Sequence, residues 1–435
     1  MLRKQIQLGL LHVAVTITLL PINSTLNRVM IKELAISATL VAVLASLPYL
    51  ISPIQVSIGA YADRKRIFGF RRTPFIMLGL VLCVVGVVLS PATAFAMADH
   101  LGKGILMGFI SFGAWGMGYN LAAVSYLSLA SELSGEKGRG KTIAIMWFMM
   151  IVSMIITSIL ISKMVDPYSP LALVRTFRWV GGAALLLGLL GLIRLENRST
   201  APIDESAEER YSWRIMARAM FNNPQASRFF GYLILLLTAI LGQDILLEPF
   251  AGEAFGMSVT ETTRITAIWG VFVLAALLLT AWLEARIPKK AAAAMGGWLI
   301  LTGFLFITVS GIFLQSQVFY LGLALLGLGT GISTVANLSL MLDMTVEGQV
   351  GLFIGAWGMA NAISRLVGSM VGGAVRDVTR FATQQPVLGY LLVFGMMALM
   401  VLITLVMLTR IDVNDFQERA QNIPVIERAA LAGDA

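Results

Sequence analysis

The sequence predicts an all-α membrane protein of twelve transmembrane helices arranged as two six-helix halves. Three observations predict it. First, 57% of the 435 residues are hydrophobic and only 13% are charged, whereas soluble domains carry roughly a quarter charged residues. So few charges cannot cover a water-facing surface, which excludes an ordinary soluble enzyme, a disordered chain and a DNA-binding domain. Second, the apolar residues fall in long continuous runs of about 20, the length that crosses a bilayer, without the period-two alternation of a membrane barrel. Third, the longest polar stretch lies near the middle and divides the runs six and six.

The expected spans, in chain order, are 6–27, 37–61, 74–97, 104–131, 141–164, 177–195, 228–251, 263–284, 291–314, 318–342, 351–374 and 387–409. They give an N-terminal half (1–196), a cytoplasmic linker (197–227), a C-terminal half (228–410) and a cytoplasmic tail (411–435). The linker has room for one surface helix carrying Tyr211, Trp213 and Met216. Most of the 32 Lys and Arg fall on one side if the N-terminus is cytoplasmic, so both termini are expected inside. The net charge of +8 then reflects loops beside anionic lipid. The single Cys83 excludes a disulfide framework and a cysteine metal cluster. No cleavable signal peptide is expected, because the first apolar run is too long and no small-residue site follows it.

The halves look like a duplication. Gly116-Met117-Gly118 in span 4 matches Gly327-Leu328-Gly329 in span 10 at an offset of 211. At the same offset Leu127-Ser128-Leu129 matches Leu338-Ser339-Leu340, and Glu132 matches Asp343. Parallel six-helix repeats are the mark of a major facilitator fold.

The second loop reads Gly59-Ala60-Tyr61-Ala62-Asp63-Arg64, then Gly69-Phe70-Arg71-Arg72-Thr73-Pro74. An acid closing one helix and a basic pair opening the next can form a cytoplasmic latch, joined by Glu132 at the end of span 4. Asp343 would face Arg286, Lys289 or Lys290 in the other half. The gate candidates are therefore Asp63, Arg64, Arg71, Arg72, Glu132 and Asp343, unless these charges only set topology.

Span 1 carries His12, Thr16, Asn23 and Asn27, which fall within about 60° of one another on a helical wheel. Pro21 bends the helix between them. Such a stripe faces protein or a cavity rather than lipid. His12 could ligate a chlorin magnesium, relay a proton or bond a neighbouring helix; no other metal ligand is indicated. Span 7 carries Gln243, Asp244 and Glu248, and the two acids share one face. Span 11 carries Gly358, Asn361, Arg365, Gly368 and Gly372 in one small-residue stripe, which permits close helix approach. Asp244 lies about 16 residues and Arg365 about 14 from the cytoplasmic ends of their spans, at 1.5 Å rise each. They are expected at similar depth, as an ion pair that is either functional or a structural lock. Tyr119 and Asn120 in span 4 and Thr330, Thr334 and Asn337 in span 10 add mild polarity. That suits a broad site for a large, mostly apolar ligand.

Catalysis is not indicated. His12 and His100 are the only histidines, and they stand beside no nucleophile and acid set. Gly138-Arg139-Gly140-Lys141-Thr142 lacks the first glycine of a phosphate loop, so no nucleotide drives transport through this chain.

Several blocks resemble the bacteriochlorophyll delivery branch of the major facilitator superfamily, the PucC- and LhaA-like proteins. They are Ser24 through Ile31, Arg71-Arg72-Thr73-Pro74-Phe75-Ile76, Gln243 through Gly252, Gly355-Ala356-Trp357-Gly358 and Arg376-Asp377. They spread over both halves, and the Gln243–Gly252 block is the most specific. The chain departs from the pattern in span 4, where Tyr119-Asn120 stands in place of a His. The resemblance implies a non-enzymatic light-harvesting assembly factor that binds or delivers (bacterio)chlorophyll. It implies antenna subunits and pigment-synthesis proteins as partners, no nucleic acid, and residence in the bacterial inner or photosynthetic intracytoplasmic membrane. A proton-coupled transporter of another amphipathic solute, with Asp244 and Glu248 titrating, and a scaffold for nascent helices are the competing readings.

Overall fold

The computed structural model describes residues 2–52, 67–198, 223–283, 286–345 and 350–421. The expected linker helix with Tyr211, Trp213 and Met216, the end of span 2 with Asp63 and Arg64, and the tail beyond 421 lie outside the described residues. The elements are α1 (Leu2–Glu33), α2 (Ala38–Ala45, with one further turn Leu47–Leu50), α3 (Thr73–Asp99), α4 (101–134), α5 (Gly140–Met164), α6 (Pro170–Leu192), α7 (Pro224–Gly242), α8 (Leu247–Phe255), α9 (Val259–Leu283), α10 (Lys289–Phe313), α11 (Ser316–Asp343), α12 (Val350–Thr383), α13 (Pro386–Thr409) and α14 (Val413–Gln421). Among the described residues no strand forms; one isolated bridge joins Ile67 and Phe70.

Nine described helices are long and apolar enough to cross a membrane. The expected spans 4 and 11 are helical as α4 and α12, with glycine and polar residues diluting their hydropathy. Span 2 is helical as far as it is described.

Local chemistry sets the boundaries. Ser37, Ser169 and Asn223 accept from the first free backbone N–H groups of α2, α6 and α7, replacing bonds that a helix start lacks. Pro170 and Pro224 follow at the first helical position, where a missing N–H costs nothing. Gly135, at φ 62 and ψ 174, turns the chain between α4 and α5, a conformation open to glycine alone without strain.

Two spans are broken. In α1 regular helix runs over Leu2–Thr16 and Leu19–Pro21, then widens into π-helical turns over Ile22–Leu26 and Val29–Glu33. Pro21 supplies no N–H to the ladder, and the turns after it close with longer reach. The bend expected at Pro21 is thus a run of wide turns, and Asn23 and Asn27 depart from the wheel that aligned them with His12. Span 7 breaks at residues 243–246, between α7 and α8.

Contacts divide the chain into two compact units. One holds Met1–Asp204 with Asp244–Gly270; the other holds Glu205–Gln243 with Val271–Ala435. Each is built on the same glycine contact. In the first unit a Cβ on Gly79 of α3 would stand 2.7 Å from the Gly118 carbonyl of α4, and one on Gly86 would stand 2.6 Å from the Ser111 carbonyl. In the second, Gly296 of α10 meets the Gly329 carbonyl of α11 at 3.1 Å and Gly303 meets the Gly322 carbonyl at 3.0 Å. The α4 and α11 positions differ by the 211 of the sequence repeat, and the α3 and α10 positions by 217. With no side chain between them, the two backbones pack at van der Waals distance, which replaces hydrophobic driving force in lipid.

Candidate functional site

In the first unit α1 carries more buried polar groups than any other helix. His12 bonds through Nδ1 to the Tyr126 hydroxyl of α4 at 2.8 Å, with the two rings edge-on at 5.4 Å. The Trp147 ring of α5 stands 6.4 Å away. His12 Nε2 is buried and has no hydrogen-bond partner. If Nδ1–H donates to the tyrosine oxygen, Nε2 carries the free lone pair.

Further along α1, Ser24 donates to Glu248 Oε1 of α8, and Thr266 of α9 donates to the same oxygen at 2.8 Å. Arg28, 1% exposed, pairs with Glu33 and donates to the Met257 carbonyl at 2.9 Å. Lys32 Nζ reaches the Gly252 carbonyl at 2.6 Å. Thr25 bonds Thr263 at 3.1 Å. From α5, Ser158 donates to the Thr263 carbonyl at 2.6 Å and Ser162 to the Thr260 carbonyl at 3.0 Å, and Arg264 Nε donates to Ser162 at 2.9 Å. Residues 244–270 belong to the second half by sequence. They are laced to the first by hydroxyls, carbonyls, the buried Arg28 and the half-buried Lys32.

The other polar candidates take simpler partners. Asn27 donates to the Asn23 carbonyl at 3.0 Å and its Oδ1 is buried without a partner. Asn120 donates to the carbonyls of Pro48 and Gly116 at 2.8 and 3.0 Å, tying α4 to the turn after α2. Tyr119 is half-buried beside it. In the second unit Tyr232 donates to Asn337 at 2.9 Å, and Asn361 donates back to the Trp357 carbonyl at 2.9 Å. Tyr126 and Asn337 sit at equivalent positions of the 211-residue repeat, so each half joins its first and fourth spans at the same level. Gly368 packs against α7, where its Cβ would stand 2.8 Å from the Gly242 Cα. Asp244, in the break before α8, is counted with the first unit and Arg365 of α12 with the second; both are half-buried.

At the end of the first unit that carries the N-terminus, Arg72 is fully buried and grips Glu132 at 2.9 and 3.1 Å, while Arg71 approaches it at 3.3 Å. Glu196 accepts from the backbone N–H of Arg71, Arg72 and Thr73 at 2.6 to 3.2 Å and from the Thr73 hydroxyl at 2.7 Å. It is a carboxylate cap on α3, where the helix dipole favours negative charge. In the second unit Asp343 pairs with Lys289 at 2.6 Å, and the Gln417 amide of α14 donates to the Asp343 carbonyl at 3.0 Å. Glu196, Arg28, Ser24 and Thr266 escaped the sequence reading of the site. The first stands at the end of the expected N-terminal half, just before the polar linker, and the others lacked a partner until spans 1, 7 and 8 met.

The helical order and the glycine contacts repeated in each unit define a class, the multi-pass helical membrane proteins built on a duplicated bundle. A bacterial homologue of the human lysosomal transporter Spinster, solved inward-facing and unoccupied, superposes with TM-score 0.70 at 13% identity over 96% of this chain and 98% of that one. The fold is the twelve-helix major facilitator fold, and the chain is a multi-pass membrane protein. The family model described as PUCC protein matches residues 25–416, so the chain belongs to the PUCC family. Protein PucC of Rhodovulum sulfidophilum is 29% identical over 87% of this chain and 86% of its own length. A Rhodobacter capsulatus protein called bacteriochlorophyll synthase 44.5 kDa chain is 29% identical over 93% and 94%.

Proposed function

We propose that this chain is a light-harvesting assembly factor that holds or delivers (bacterio)chlorophyll to antenna apoproteins within the membrane. The observation that carries the reading is the family match, which runs through both six-helix halves. The name of one relative, bacteriochlorophyll synthase 44.5 kDa chain, points to pigment metabolism, and the major facilitator fold gives a frame for binding an amphipathic molecule rather than for turnover. Its partners in this reading are antenna subunits and pigment-synthesis proteins. Its place in this reading is the inner or intracytoplasmic membrane, with both termini cytoplasmic, which the Lys and Arg distribution favours.

The first unit offers one group suited to the pigment. His12 Nε2 is a buried nitrogen without a partner, held by Tyr126 through Nδ1, and as a neutral imidazole nitrogen it would hold the metal of a chlorin. Tyr126 fixes the tautomer and the ring orientation. Trp147 beside it supplies a flat apolar face. The chlorin, when bound, supplies an open coordination position and nothing else to this site.

The test is purification of the full chain in mild detergent from a pigment-making host, followed by an absorption spectrum. A stoichiometric red or near-infrared band is expected, reduced at least several-fold in His12→Ala. Colourless protein that retains antenna subunits would replace this reading with a scaffold for membrane helices. Colourless, unaccompanied protein that moves protons on addition of a solute would replace it with a transporter.

A further inference from the structure

One buried acid lies apart from the pigment reading. Glu248 is 3% exposed. Two hydroxyls, from Ser24 and Thr266, bond its Oε1, while its Oε2 is buried without a donor. Three residues on from Ser24, Asn27 Oδ1 is a second buried acceptor without a donor. Acceptor oxygens shut away from water call for a proton or a cation to complete them.

The charged and titratable groups around this site already have work. From α1, Arg28 bonds Glu33 and the Met257 carbonyl, and Lys32 bonds the Gly252 carbonyl. From α9, Arg264 bonds Ser162, and Glu261 caps the helix start by accepting from Ser258 at 2.8 Å. Glu253 of α8 influences Lys32, and Tyr168, after α5, feels both Glu33 and Arg28. Arg28 is thus shared between a carboxylate and a carbonyl, and its positive charge also acts on Glu248.

The oxygens of Ser24, Glu248 and Thr266 come from α1, α8 and α9 and meet at the Glu248 carboxylate. They converge only while residues 244–270 are docked against the first half. We propose that Glu248, Ser24 and Thr266 form a site for a monovalent cation, either a proton or a sodium ion, that is complete only in the docked arrangement. All three contribute oxygen, the donor type hard cations prefer, and each hydroxyl keeps lone pairs while donating to Oε1. Linkage then runs both ways: the cation binds the docked form, so adding the cation tightens docking.

Met257 is buried where its carbonyl meets Arg28, so a thiol there reports the contact. The chain has one cysteine, Cys83, which is buried. The experiment uses the full chain carrying Cys83→Ser and Met257→Cys in lipid nanodiscs. Its labelling rate by a polar maleimide is measured relative to the same chain unfolded in detergent, which removes the intrinsic pH dependence of the thiol. The pH is varied from about 5 to about 9, and sodium chloride is compared with N-methylglucamine chloride at equal ionic strength. Labelling is expected to slow several-fold as the cation is added, and this response should be lost in Glu248→Gln. A response to acid in either salt assigns a proton; a response to sodium at constant alkaline pH assigns sodium. A flat rate under both variations, or the same response in Glu248→Gln, overturns the proposal. If Glu248→Gln does not fold, Thr266→Val decides, because it removes one ligand and keeps the acid. A shifted midpoint supports the site and an unmoved midpoint overturns it. The readout involves no pigment, so it stands or falls separately from the assembly reading.

Discussion

Single carboxylates hold the ends of this bundle. Glu196 takes three backbone N–H groups and a hydroxyl at the start of α3. Glu196→Ala is expected to cost about 1–2 kcal/mol, the range for losing a helix cap, visible as a lower midpoint in thermal unfolding in detergent. Glu132 should matter more, because Arg72 against it is fully buried and would lose its two hydrogen bonds to that carboxylate. Glu132→Ala is expected to cost about 2–3 kcal/mol, at or below the low end of the roughly 3–5 kcal/mol for breaking a fully buried pair, since Glu132 is itself about one-third exposed. Arg71→Ala should cost less than Arg72→Ala by the same measure, because Arg71 is farther from Glu132 and partly in water. The difference in legibility between the two acids is physical. Glu132 stood out because an acid recurs at the repeat offset and a basic pair opens span 3. Glu196 contacts mostly backbone, which carries no residue signature, so the sequence could show only an acid in a polar stretch.

Helices here are shaped by what they lack. Glycines on α3, α4, α10 and α11 let backbones touch, so adding a methyl group must push the helices apart. Gly118→Ala would set a Cβ 2.5 Å from the Gly79 carbonyl, and Gly329→Ala one 2.8 Å from the Gly296 carbonyl. Each is expected to destabilise by about 1–3 kcal/mol, as overpacking does. Gly113→Ala, which meets nothing within 4 Å, should be neutral or slightly stabilising because alanine is the better helix former. Thermal midpoints of the three variants check this. The offset of Gly118 and Gly329 was readable in the sequence, and so was a disturbance at Pro21. The wide turns after Pro21 were not, because a π-helical turn is selected by packing along the helix and not by the proline alone. They are what bring Ser24 to Glu248 and Arg28 to Met257.

Over the whole molecule, the segment 244–270 is the notable departure from a simple split into halves. It follows the linker in sequence, yet it clusters with the first unit. Fragments 1–204 and 205–435, co-expressed as separate chains, are therefore expected to co-purify. Arg28→Ala with Lys32→Ala should weaken that recovery several-fold, since each cation holds a carbonyl of the 252–257 region. Recovery equal to that of the unaltered fragments would show that these contacts do not hold the segment. The sequence by itself determined the membrane setting, the helical class, the twelve-span fold and the repeat shared by α4 and α11. These depend on local properties: each span must satisfy its own backbone hydrogen bonds in lipid and carry its own apolar length. Only the tertiary structure decided that Glu248 meets Ser24, 224 positions earlier, and that Arg28 meets the Met257 carbonyl, 229 positions later. Such pairs form where irregular turns bring distant helices together, and a buried polar group takes whichever partner the packing leaves within reach.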